Sequence, residues 1–223
     1  TETLAPWELP FHGQGNVSLW NQRYATQMRS GQLDEWNQSF WVDDVDHPYQ
    51  TDSTPGFAWY RGYQLGGRSL MWGRQCYRWS DVDFAANAKD GHGIDWPIRY
   101  ADVARWYDHV EKFIGVSGAK EQLPQLPDGS FLPAMPLNVV EAHVREVLDK
   151  KFPGRRLTIG RTANLTQGQP ELGRAPCQYR NICSRGCSFG AYFSTQSATL
   201  PAAQRTGNLT VLTDSLVENI DYD

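Results

Sequence analysis

Long apolar runs are missing from this sequence. Nothing in its 223 residues approaches the roughly 20 consecutive apolar residues that a bilayer-spanning helix needs. Charge of one sign is scarce too. Lys and Arg number 21 against 25 Asp and Glu, leaving a net charge of -4, which argues against a nucleic-acid surface and a polybasic membrane anchor. Histidine is thinly spread. His12, His47, His92, His109 and His143 show no metal-ligand spacing, so each is expected to be structural rather than a base. Asp43-Asp44-Val45-Asp46 lacks the glycine and terminal Glu of a calcium loop and reads as a solvated turn. Ser188 and Ser194 have no paired base in sequence, so no hydrolase is indicated. Repeats, low-complexity stretches and a charged-apolar-small leader are absent; a signal peptide is therefore read as absent or removed. Thr1 and the strand-like run Asn219-Ile220-Asp221-Tyr222-Asp223 read as cut ends.

What is present is aromatic. All nine tryptophans fall between Trp7 and Trp106. Indole and phenol rings can form platforms for sugar rings, but most of these are expected to fill an irregular, loop-rich core. Residues 1–60 carry little periodicity beyond a short helix over Ser18–Arg29. A short helix is expected over Asp81–Ala88. A longer one starts at Tyr100, with Val103, Trp106, Tyr107, Val110, Phe113 and Ile114 on one face and Gly115 as its stop. Pro124–Pro136 reads as an extended connection and Val139–Phe152 as a second amphipathic helix with Val140, Val144, Val147 and Leu148 inward. Arg156–Ile159 reads as strand-like. A helix interrupted by Pro201 spans Tyr192–Arg205, and Leu209–Leu212 and Leu216–Tyr222 alternate like two strands. The mixture places the chain in an α/β class, an α+β mixture over this stretch.

Two segments carry chemistry. In Arg61-Gly62-Tyr63-Gln64-Leu65-Gly66-Gly67-Arg68-Ser69-Leu70-Met71-Trp72-Gly73, adjacent glycines permit close backbone approach and exposed N–H groups that suit a phosphate. A Gly-Gly turn by itself is more often only a tight turn. In the second segment, Cys177, Cys183 and Cys187 are separated by five and three residues, with Arg174, Arg180 and Arg185 able to offset thiolate charge. No histidine is close enough in sequence to complete a zinc tetrahedron, and three thiols cannot pair off internally. Three thiolates match the ligand requirement of a three-iron cluster. A zinc site borrowing a ligand, one disulfide plus a thiol, or reduced buried cysteines remain open. Cys76 reads as a small buried hydrophobe, with a role as fourth ligand the lesser alternative.

The pattern Arg61-Gly62, Leu65-Gly66-Gly67 and Ser69 resembles the second flavin-binding motif of the glucose-methanol-choline flavoenzymes. Asp95-Trp96-Pro97-Ile98-Arg99-Tyr100-Ala101-Asp102 with Trp106-Tyr107 resembles the segment that follows it there. Gly207-Asn208-Leu209-Thr210-Val211 with Leu216-Val217 looks like the strand pair returning to the flavin domain. Gly-Gly-Arg-Ser-Leu-Met-Trp-Gly and the cysteine segment are most similar to the branch holding glucoside 3-dehydrogenase, gluconate 2-dehydrogenase and fructose dehydrogenase.

The resemblance implies an incomplete FAD-binding domain plus part of a substrate or cap region. Residues 1–100 would belong to the FAD domain, with the flavin turn at about 60–77. Residues 101–175 would form the cap insertion, and 176–223 the cysteine loop and returning strands. It implies that Arg61, Gly66, Gly67, Ser69, Trp72, Gly73 and Val217 bind FAD. Met71 stands where a relative attaches flavin through histidine, so the FAD would be non-covalent; Trp72 stands where many members have Asn. Cys177, Cys183 and Cys187 would hold a [3Fe-4S] cluster. The implied reaction is oxidation of a secondary hydroxyl of a sugar or sugar acid, with electrons passed to a cytochrome. A small export-assisting subunit and a bacterial periplasmic or membrane-associated setting, with a cytoplasmic one as alternative, are also implied. The Gly-x-Gly-x-x-Gly unit is not in this sequence, and the family's catalytic histidine would lie beyond Asp223, so these residues alone are not expected to turn over. Two rival readings are an iron–sulfur electron-transfer subunit without its own substrate and a carbohydrate-binding module.

Overall fold

The computed structural model describes residues 4–52 and 56–222. Thr1 and Asp223, read above as cut ends, lie outside them. The described helices are α1 (Val17–Arg23), α2 (Ala25–Met28), α3 (Asp81–Phe84), α4 (Ala86–Asp90), α5 (Tyr100–Ile114), α6 (Val139–Lys151) and α7 (Leu200–Arg205). Among the described residues, strand pairing is limited to isolated bridges. The stretches 156–159, 209–212 and 216–222, expected as strands, form no ladder, and Leu212, Leu216, Val217, Ile220 and Tyr222 stand exposed. Alternation defines two faces but supplies no partner for the backbone, and a strand requires one.

The chain divides into two compact units. The first comprises Thr1–Trp72, Ile182–Ser188 and Ser194–Asp223. Its core gathers Leu9, Trp20, Trp36, Trp41, Val42, Leu70 and Ala198; these three tryptophans are core filler, but Trp7, Trp59, Trp79, Trp96 and Trp106 stand exposed, against the expectation that most of the nine would be buried. The helix expected over Ser18–Arg29 is broken at Tyr24, where φ is -121°, giving α1 and α2. Gln27 of α2 is fully buried and donates to the Val42 carbonyl at 2.8 Å, tying the helix to the following loop. A π-helical turn, Thr195–Thr199, runs into α7, whose Pro201 sits in the first turn where its missing N–H costs nothing.

The second unit comprises Gly73–Asn181 and Phe189–Phe193. Bridges Gln75–Thr162, Ser117–Thr162, Ser117–Leu132 and Asn164–Tyr192 knit Val116, Ser117, Ala163, Leu165, Ala191 and Tyr192 into a buried centre. Three arginines are buried with them, each compensated. Arg78 meets Glu111 at 2.5 Å and Asp108 at 2.6 Å. Arg161 meets Asp128 at 3.0 Å and the Pro127 carbonyl at 2.5 Å. Arg174 donates to the carbonyls of Gly190 at 2.8 Å and Ile114 at 2.9 Å. Irregular chain leaves many carbonyls without a ladder, and a guanidinium with five donors satisfies several at once.

Helices α5 and α6 start and stop close to where the sequence places them, α5 ending at Gly115 with φ +77°. Their burial differs from expectation. Trp106 and Val110 of α5 and Val140 and Val144 of α6 are exposed, whereas the buried residue of α5 is Glu111. Periodicity reports which side chains share a face; it does not report whether that face is covered.

Candidate functional site

The paired glycines form a real turn. Gly67 N–H donates to the Gln64 carbonyl at 2.8 Å, and a short 3-10 helix, Gly67–Leu70, follows. Gly66 has φ +91° and Gly67 φ +50°, the left-handed region that an L side chain seldom enters. Ser69 Oγ donates to the Gly66 carbonyl at 2.5 Å and accepts from the Thr195 amide at 2.9 Å. Gln196 Nε2 donates to the Leu65 carbonyl at 2.7 Å, and a Cβ on Gly66 would lie 3.1 Å from Gln196 Cγ. One flank of the turn is therefore closed by residues 195–196. The other is open: a Cβ on Gly67 would meet nothing nearer than the Gly62 carbonyl at 3.5 Å. In the second unit, a Cβ on Gly73 would have no atom within 4 Å.

The remaining expected cofactor residues are placed unequally. Arg61 is buried in an aromatic cage, with its guanidinium carbon 5.0, 5.3 and 5.7 Å from the ring centres of Tyr49, Trp59 and Tyr63. It pairs with Asp44 at 2.7 Å and donates to the His47 carbonyl and to Tyr63 Oη. Such a residue fixes the approach to the turn from inside. Trp72 is half-buried, and Val217 is 74% exposed.

Beside the turn, Gln64 lines a pocket of about 280 Å³ with Tyr24, Trp41, Asp43, His47 and Tyr63. Burial works against ionisation of Asp43, but hydrogen bonds from Arg23 and from the Val45 and Asp46 amides outweigh it and hold its pKa below the usual carboxylate value. The pocket thus carries a fixed negative charge among aromatic rings. Its volume suits one small polar molecule rather than a dinucleotide, since drug-sized ligands occupy about 300–1,000 Å³.

Among the described residues, no group of three or more His, Cys, Asp or Glu side chains converges as a metal site. Cys177 belongs to the second unit, Cys183 and Cys187 to the first; all are half-buried. The arginines expected to balance them have other work. Arg174 is the buried carbonyl clamp described above. Arg180 stacks on Phe189 at 4.7 Å and Arg185 on Trp36 at 3.6 Å. Burial, opposed by the Ala163 amide and assisted by the charge of Glu111, pushes the Cys76 thiol up to about 11, which makes it a poor ligand or nucleophile.

No family model matches the sequence. Relatives are nonetheless found. Paromamine 6'-oxidase of Streptomyces fradiae is 29% identical over 176 residues, which cover 75% of this chain and 30% of that protein. 6'''-hydroxyparomomycin C oxidase of Streptomyces lividus is 28% identical over 147 residues, 61% of this chain and 25% of that protein. 2-methyl-1,2-propanediol dehydrogenase of Mycolicibacterium austroafricanum is 32% identical over 85 residues, 37% and 14% respectively. The chain is similar to known oxidoreductases. It spans less than a third of the length of each. All three are named as oxidases or dehydrogenases. No described helix is long and apolar enough to cross a membrane.

Sequence reasoning missed Gln64, Thr195 and Gln196. They line or brace the turn, yet 131 positions separate Gln196 from Leu65. Nothing local in Thr195-Gln196 marks them. Only their hydrogen bonds do.

Proposed function

We propose that this chain is part of a flavin-dependent alcohol dehydrogenase of the glucose-methanol-choline type, acting on a secondary hydroxyl of a sugar or sugar acid. The observation that carries the reading is the Gly66–Gly67 turn: two adjacent residues at positive φ, with the Gly67 face free of side chains. A flat, nucleotide-bearing ring needs such bare backbone, because any Cβ would hold it off. Bound FAD would supply the hydride acceptor.

The chain's own residues divide the work. Gly67 and Gly73 offer bare backbone to the cofactor. Gly66 makes the turn possible and packs on Gln196, while Ser69 braces it from within. Arg61 sets the approach to the turn through its cage, and Trp72 and Val217 complete the proposed cofactor-binding set. The relatives' names support a hydroxyl-bearing substrate. A [3Fe-4S] cluster on Cys177, Cys183 and Cys187, feeding a cytochrome, belongs to the same proposal. It rests on the donor chemistry of three soft thiols without histidine.

The test is the absorption spectrum of the protein expressed with its flanking sequence. Flavin bands are expected, with broad iron–sulfur absorption beneath them. Gly67→Val should lower flavin occupancy about tenfold or more while circular dichroism stays unchanged. A folded protein without flavin would overturn the reading.

A further inference from the structure

A second cleft lies within the second unit. About 450 Å³ in volume, it is lined by Glu121, Arg145, Asp149, Arg156 and Thr158 among others. Its chemistry is mixed. Arg145 has no hydrogen-bonded or ion-paired partner among the described residues. Arg156 is held only loosely, 3.7 Å from Asp149. Their donors are thus available to an incoming acceptor. Glu121 presents the opposite demand, because its Oε2 is buried and has no hydrogen-bond partner. Burial raises the Glu121 pKa against the pull of Arg161, Arg145 and Arg156, which places both cleft arginines within electrostatic reach of it. An orphaned carboxylate oxygen costs free energy until a donor arrives.

The cleft wall is built in advance. Asp128 accepts the amides of Glu121 and Gln122, both at 2.9 Å, and is itself held by the buried Arg161 at 3.0 Å. Gln122 takes φ +56° to allow that clasp. Arg145 and Asp149 project from α6 one helical turn apart. A ligand therefore meets groups whose backbone is already fixed.

We propose that this cleft binds inorganic hydrogen phosphate, with Arg145 and Arg156 donating to its oxygens and its P–OH donating to Glu121 Oε2. One group thereby answers both needs, since a protonated oxyanion carries acceptors and a donor on adjacent atoms. Arginine is suited to the first contact by its planar fork.

Sulfate makes the test sharp. It matches phosphate in size and charge but carries no proton at pH 7. Calorimetric titration of the full-length protein with inorganic phosphate, sulfate and a small phosphomonoester at pH 7 should show phosphate preferred over sulfate at least tenfold. The phosphomonoester, mostly without a P–OH at pH 7 because its second pKa is about 6, should bind no better than sulfate, and tighter binding of it than of phosphate would overturn the assignment. Arg145→Ala should weaken phosphate about tenfold. Glu121→Gln, whose amide can donate, should reverse the preference toward sulfate. Equal affinity for the two anions, or an Arg145→Ala protein that binds phosphate unchanged, would overturn the assignment. None of these readouts depends on bound flavin.

Discussion

At the scale of single residues, the strongest contrasts lie between side chains of similar chemistry in different surroundings. Cys76 is half-buried, and burial raises its thiol to about 11. At pH 8 only about one part in a thousand of it is thiolate, against roughly a quarter of an ordinary cysteine. Iodoacetamide labelling followed by peptide mass spectrometry should therefore modify Cys76 about 100-fold more slowly in the native protein than in urea. Equal rates in the two states would show that the thiol is not shielded. Arg61 teaches the same lesson in the other direction: a residue read from the motif as a cofactor contact has its guanidinium enclosed by Tyr49, Trp59 and Tyr63.

At the scale of elements, helix ends were more legible than helix faces. Asn138 caps α6, accepting the Glu141 amide at 2.9 Å, and Glu141 returns the bond to the Asn138 amide at 2.8 Å. That capping box is local, so three residues of sequence contain it. The outward-facing Val139, Val140 and Val144 could not be foreseen, because their exposure depends on chain far from the helix. With little burial to hold it, α6 depends on its cap. Asn138→Ala should cost about 1 kcal/mol, seen as roughly fivefold faster amide exchange over residues 139–145 with little change in the global unfolding midpoint. Unchanged exchange would mean that the helix is held by packing instead.

For the molecule as a whole, guanidinium–carboxylate pairs with at least one half-buried or buried partner take part in organising a backbone that, among the described residues, has only isolated bridges. Arg78 lowers the pKa of Asp108 by hydrogen bonding. Burial of Asp43 and of Asp128 is outweighed, for Asp43 by Arg23 and backbone amides, for Asp128 by the Glu121 and Gln122 amides and Arg161. All three have folded pKa values below their unfolded ones. Their stabilisation is complete above the ordinary Asp value of about 4 and disappears as pH falls through the lower folded values. Urea midpoints should therefore be level from about pH 7 to 5 and drop below about pH 4. A decline beginning near pH 6 would implicate histidines instead. The sequence by itself determined the local facts: the glycine turn, the caps, the stop at Gly115 and the spacing of the thiols, because each depends on a few neighbouring residues. Only the tertiary structure decided that Gln196 closes one flank of the turn, that Arg61 and Arg174 face inward, and that Glu121 shares a cleft with Arg145. Those contacts join residues many positions apart, and their hydrogen bonds and desolvation exist only once the chain has folded.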